Sequence, residues 1–65
     1  MITVNGEHWH ADPGLTVADV VARLTDEPRG IAVALDGAVV PRAKWAATEI
    51  PDQAQVEVLT AVQGG

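Results

Sequence analysis

Sixty-five residues allow one domain with a small core, because a chain of this size buries only ~60% of its unfolded surface. There is no Cys, so neither a disulfide framework nor a Cys-based zinc site reinforces it, and with no Phe or Tyr the apolar 48% is Val, Ile, Leu and Ala plus Met1, Trp9 and Trp45. A formal charge of −5 argues against a nucleic-acid surface and favours a basic partner, and no apolar run approaches the ~20 residues that a membrane span requires.

The chain opens on "MITVNGEHWHA". Asn5-Gly6 is the dipeptide preferred by a two-residue type I′ turn, so a hairpin is predicted in which Val4 faces Glu7 and Ile2 faces Trp9. Cross-strand partners point to the same side. Ile2, Val4, Trp9 and Ala11 therefore share one face, with Glu7 at its turn end, and Thr3, His8 and His10 share the other. Met1 leads straight into this pattern without a basic and then apolar leader, so no secretory signal is expected and the expected location is cytoplasmic.

After "DPG", the segment "LTVADVVARL" has the helical period, with Val17, Val20, Val21 and Leu24 on one stripe. Thr16 suits the N-cap, Asp19 suits the positive end of the helix dipole, and Leu15 can staple onto Val20. Pro28 and Gly30 mark the expected stop. "IAVAL" alternates with period two, setting Ile31, Val33 and Leu35 on one face and Ala32 and Ala34 on the other. Asp36-Gly37 signals a second tight turn and "AVV" a short return strand. "PRAKWAA" reads as one helical turn with Pro41 at its first position, and Trp45 as a satellite of the core. "PDQA" is a turn, and "QVEVLTAV" is the last strand, with Val56 and Val58 on one side and Glu57, Leu59 and Ala61 on the other. One amphipathic helix must lie across a sheet to bury its stripe. The expected fold is an α+β roll with a mixed sheet and one main helix packed across one face.

Candidate chemistry on the body of the domain is sparse. His8, His10 and Asp12 are zinc-competent residue types on one side of a strand, but a structural site takes four ligands and Cys is absent, so a solvated outer face is the better reading and no metal is expected. The same pair of imidazoles offers a pH-sensitive patch with nothing further to support it. There is no nucleophile elbow, P-loop or GxGxxG. Catalysis by this chain's own side chains is not expected, nor is a bound cofactor. Arg42 and Lys44 are exposed, with at most a minor contact role for Arg42. If the third and last strands are neighbours, Ala32, Ala34, Leu59, Ala61 and Val62 make a candidate partner face.

The chain ends on "AVQGG". Gln63-Gly64-Gly65 has almost no width beyond Gln63, so it can enter a channel where a Cβ would clash. The group it delivers is the α-carboxylate of Gly65, which attack on the α-phosphate of ATP converts to an acyl-adenylate. The expected organisation is a domain over residues 1–62 and a flexible tail over 63–65.

The segments "MITVNGE", "PGLTVADVVARL" and "IAVALDGAVVPRAKW", with the terminal "VQGG", resemble the ubiquitin-like β-grasp sulfur carriers, and within them the thiamine-pathway carriers of the ThiS family. "VPRxxW", here Val40 to Trp45, is the most family-specific stretch. The resemblance implies that an E1-like adenylyltransferase of the ThiF type activates Gly65 with ATP and that a sulfur donor converts the adenylate to a thiocarboxylate. It also implies that a thiazole synthase of the ThiG type takes that sulfur into the thiazole ring of thiamine, with the outer sheet face and the tail, including Gln63 and Gly64, meeting both enzymes. Alternatives are a molybdopterin-type sulfur carrier, a protein modifier joined to lysine through its C-terminus, and a simple binding module that would not need Gly65.

Overall fold

A computed structural model describes residues 1–27 and 29–60. Its elements, in order, are strand β1 (Ile2–Val4), strand β2 (Glu7–Trp9), helix α1 (Val17–Leu24), strand β3 (Ile31–Leu35), strand β4 (Ala38–Val40), a 3₁₀ helix (Arg42–Ala47) and strand β5 (Gln55–Thr60). The strands form one mixed sheet in the order β2-β1-β5-β3-β4, with β1 and β5 parallel and the other neighbours antiparallel.

The two tight turns set the two hairpins. Asn5 and Gly6 have φ of 51° and 84°, and Asp36 and Gly37 have 49° and 88°. These left-handed pairs define type I′ turns, whose twist matches that of the strands they join. The first hairpin pairs Ile2 with Trp9 and Val4 with Glu7, as predicted. The second pairs Leu35 with Ala38 and Ala34 with Val39.

Between the hairpins, α1 starts where its capping chemistry says it must. Thr16 is the N-cap. Its Oγ1 accepts from the Asp19 N–H at 3.2 Å, and the Asp19 carboxylate accepts from the Thr16 N–H at 2.9 Å, a complete capping box. The helix ends at Leu24, the last residue of the segment with the helical period and ahead of Pro28 and Gly30. Thr25 turns extended, at φ −157° and ψ 149°, and its hydroxyl accepts from the Glu27 N–H at 3.0 Å. A β-branched hydroxyl that bonds local backbone competes with helix continuation. The apolar stripe is shorter in consequence. Val17, Val20 and Val21 are buried, but Leu24 is 44% exposed, because the chain leaves the helix at the next residue.

The core lies between α1 and one sheet face. Ile2 and Val4 of β1, Val33 of β3, and Val56 and Val58 of β5 meet Leu15, Val17, Val20 and Val21, joined by Ile50 and Ala54. Leu15 and Val20 are both buried, as a staple requires. Trp45 is part of this core, not a satellite of it: it is buried, and its indole N–H donates to the Val40 carbonyl at 2.9 Å. With no Phe or Tyr available, the large indole fills volume that Val and Ala cannot. The 3₁₀ helix that carries it spans six residues where one turn was expected. Pro41, at φ −60° and ψ 145°, precedes the helix as its N-cap and does not occupy the first helical position. The Thr16 region is tied to the following loop by Val17 N–H to the Thr48 carbonyl (3.0 Å) and Ile50 N–H to the Leu15 carbonyl (2.8 Å). At the other end of β1, Gln53 donates to the Met1 carbonyl at 2.9 Å and the Met1 amine contacts Asp52 at 2.6 Å, which sets β1 beside the start of β5.

Thr16→Ala is expected to destabilise the fold by about 1 kcal/mol at neutral pH, read from urea denaturation followed by circular dichroism. Asp19 adds a pH dependence of known sign. Its bond from the Thr16 N–H, and then that from the Thr16 hydroxyl, hold its carboxyl below the ordinary value of 3.8. Its contribution is therefore complete above the ordinary carboxylate range and is lost as the pH falls through the folded-state value. The stability gap between wild type and Asp19→Asn closes at acid pH. Trp45→Phe removes the indole donor to the Val40 carbonyl and is expected to cost about 1 kcal/mol in the same measurement.

Candidate functional site

The face of the sheet turned away from α1 is built by the alternation of its strands. β3 and β5 are antiparallel neighbours, which brings together residues that the sequence places far apart. Ala32 sits opposite Leu59, and Ala34 opposite Glu57. Leu59 is 65% exposed, an unusual state for a residue of its size next to the end of a strand. Ala32 is also exposed, while Ala34 is half-buried. The patch differs in two ways from a smooth apolar surface. The Glu57 carboxylate interrupts it beside Ala34, and Val39 of β4, paired with Ala34 and 75% exposed, extends it to the sheet edge. Val39 was legible in principle, since the Asp36-Gly37 turn fixes the register that puts it opposite Ala34.

Of the residues named for this face, Ala32, Ala34 and Leu59 share one side of adjacent strands. Ala61 and Val62, together with the tail residues Gln63, Gly64 and Gly65, lie outside the described residues. β5 is described as far as Thr60, opposite Ile31.

The other candidate groups do not converge. His8 pairs with Thr3 in the first hairpin. His10 Nε2 lies 3.2 Å from the Asp12 carboxylate, with both side chains mostly in solvent. Among the described residues, no three His, Asp or Glu side chains come close enough to hold a metal ion. On the opposite side of the molecule, an open groove of about 470 Å³ runs between α1 and the 3₁₀ helix, past Val21, Thr25, Asp26, Arg42 and Trp45. The Arg42 guanidinium lies over the Trp45 ring, 5.9 Å from its centroid. This cation–π contact holds Arg42 against the body of the domain. Among the described residues, no helix is long and apolar enough to cross a membrane.

The sheet order, with parallel first and last strands side by side and one helix across one face, is that of the β-grasp fold, the class of small ubiquitin-like proteins. Comparison with known proteins narrows the class. The family model of the ThiS family matches residues 2–65, and the chain belongs to that family. It is similar to the crystal structure of a thiamine biosynthesis protein (ThiS) from Geobacter metallireducens, with 31% identity and a TM-score of 0.78 over 98% of this chain and 97% of that one. It is also similar to the solution structure of a thiamine biosynthesis protein from the same organism, at 31% identity and TM-score 0.75 over 98% of this chain and 86% of the other. No curated protein matches the chain. Family and structural match together support a sulfur-carrier role in place of catalysis by the chain itself.

Because Leu59 packs against little, Leu59→Ser is expected to change the folding stability by less than about 0.5 kcal/mol, checked by thermal melting.

Proposed function

We propose that this chain carries sulfur as a thiocarboxylate on Gly65 and delivers it to the thiazole ring of thiamine. The observation that carries the reading is the family match, which runs to the last residue and so includes the terminal Gly-Gly. The chemistry follows from the group that the terminus offers. The Gly65 carboxylate attacks the α-phosphate of ATP, pyrophosphate leaves, and the acyl carbon becomes an electrophile with AMP as its leaving group. Hydrosulfide from a donor attacks the acyl carbon and AMP leaves, giving the thiocarboxylate. Gly65 bears no side chain, so the acyl carbon is open to the incoming sulfur.

In this reading the domain is a co-substrate and its partners do the catalysis. A ThiF-type adenylyltransferase binds ATP and activates the terminus, and a ThiG-type thiazole synthase removes the sulfur, both in the cytoplasm. Gln63 and Gly64 enter the partner's active site. The outer face at Ala32, Ala34 and Leu59, continued by Ala61 and Val62, docks against the partner's surface. The acidic charge of the chain suits basic surfaces on both enzymes and speeds encounter at low salt.

The test is incubation of the full chain with ATP, a ThiF-type enzyme and sulfide, followed by intact-mass analysis. A mass gain of one O-to-S exchange is the expected result, absent when Gly65 is deleted. Adducts joined to lysine would instead identify a protein modifier. Complementation of a thiamine auxotroph by the full chain, but not by the Gly65 deletion, separates the thiamine pathway from the molybdopterin one. A deletion that still complements would leave only a binding module.

A further inference from the structure

In a parallel ladder the rungs follow a fixed sequence. Asn5 donates its backbone N–H to the Val56 carbonyl at 2.9 Å. The next rungs of such a ladder take the Val58 N–H to the carbonyl of residue 5, and the Val58 carbonyl to the N–H of residue 7. Here the backbone supplies neither, because the chain turns at Asn5 into β2. The Asn5 carboxamide fills both places. Its Oδ1 accepts from the Val58 N–H at 2.8 Å, and its Nδ2 donates to the Val58 carbonyl at 3.2 Å. A reversed amide would set like against like at both contacts, so the pair of bonds fixes its orientation.

The consequence falls on the end of β5. On the β3 side, β5 is paired as far as Thr60. On the β1 side, backbone pairing covers only Gln55 and Val56. Without the carboxamide, β5 would be held from one side from Glu57 onward. With it, the hold is two-sided as far as Val58, shortly before the chain runs on to its C-terminal residues. We propose that Asn5 is a positioning residue for the carrier reaction: its peptide-like pair with Val58 sets the direction in which β5 leads out to the terminus that a partner enzyme takes up. The assignment rests on the carrier reading above. A strand end already aligned in the free protein has less freedom to lose on binding. The reacting atoms are unchanged by it, so the effect belongs in KM and not in kcat.

Two variants separate the carboxamide from the turn. Asn5→Gly keeps the left-handed position comfortable and removes both bonds. Asn5→Asp also tolerates the turn but turns the donor into a carboxylate oxygen facing the Val58 carbonyl. Thr16→Ala, at the cap of α1, is the control for general destabilisation. Two measurements on the full chain are needed: amide exchange at Val58, and steady-state adenylation by a ThiF-type enzyme. The expected result is Val58 exchange about tenfold faster in Asn5→Gly. With it comes a KM for the carrier raised roughly three- to tenfold in both Asn5 variants, kcat within about twofold of wild type, and Thr16→Ala at the wild-type KM. An unchanged KM in the Asn5 variants overturns the assignment, as does an equal rise in Thr16→Ala. Val58 exchange at the wild-type rate overturns it whatever the kinetics show. A wild-type chain that is not adenylated at all is a separate outcome, which overturns the carrier reading and this assignment with it.

Discussion

The sheet depends on the addition of β5 between two hairpins. Each hairpin is local, closed by its own type I′ turn, and a lone two-stranded hairpin is marginal in water. β5 pairs with β1 on one side and β3 on the other, and its Val56 and Val58 complete the apolar layer under α1. The first residue of each turn reaches it with a side chain as well. Asn5 holds Val58, and the Asp36 carboxylate accepts from the Gln55 N–H at 2.8 Å while the Asp36 N–H donates to the Gln55 carbonyl at 2.8 Å. The residues that make the turns thus also lengthen the ladders on both edges of β5. The bond between Asn5 and Val58 closes 53 residues of chain, so it forms only when the first and last strands have come together. That is the physical ground for cooperative folding in a domain with so little core.

The same strand leads to the C-terminal residues, so in the proposed carrier role stability and presentation of the terminus draw on one set of contacts. A carrier needs a rigid body for its partner to recognise and a narrow terminus for the partner to act on. The division of β5 into a buried side, at Val56 and Val58, and an open side, at Glu57 and Leu59, serves the first need without consuming the second. The open side can change without unfolding the protein, and the buried side cannot.

Much of this was legible in the residues because it is local. Asn5-Gly6 and Asp36-Gly37 announce their turns, the turns fix the hairpin registers, and Thr16 with Asp19 announces the start of α1. What was not legible is either non-local or a competition between near-equal signals. Nothing near Asn5 in the sequence says that its carboxamide bonds a residue 53 positions away. Trp45 is a core residue because the 3₁₀ helix packs against α1, which is a property of the assembled volume. At the end of α1, Pro28 and Gly30 are strong breakers, but Thr25 breaks first by a hydroxyl bond that composition does not weigh. Leu24 is left exposed as a result. The placement of Val39 followed from a register that was in hand. The chemistry proposed at Gly65 belongs to none of these: it rests on the family resemblance, because a carboxylate on glycine looks the same in every chain that ends so.

β1 and β5, the first and last strands, lie side by side and point the same way. A pull applied between the start of the chain and its far end therefore slides these strands along one another. In that geometry the rungs at Thr3 and Asn5 share the load at once, whereas strands pulled apart sideways would give way rung by rung. The domain therefore meets a lengthwise pull between its first and last strands in shear.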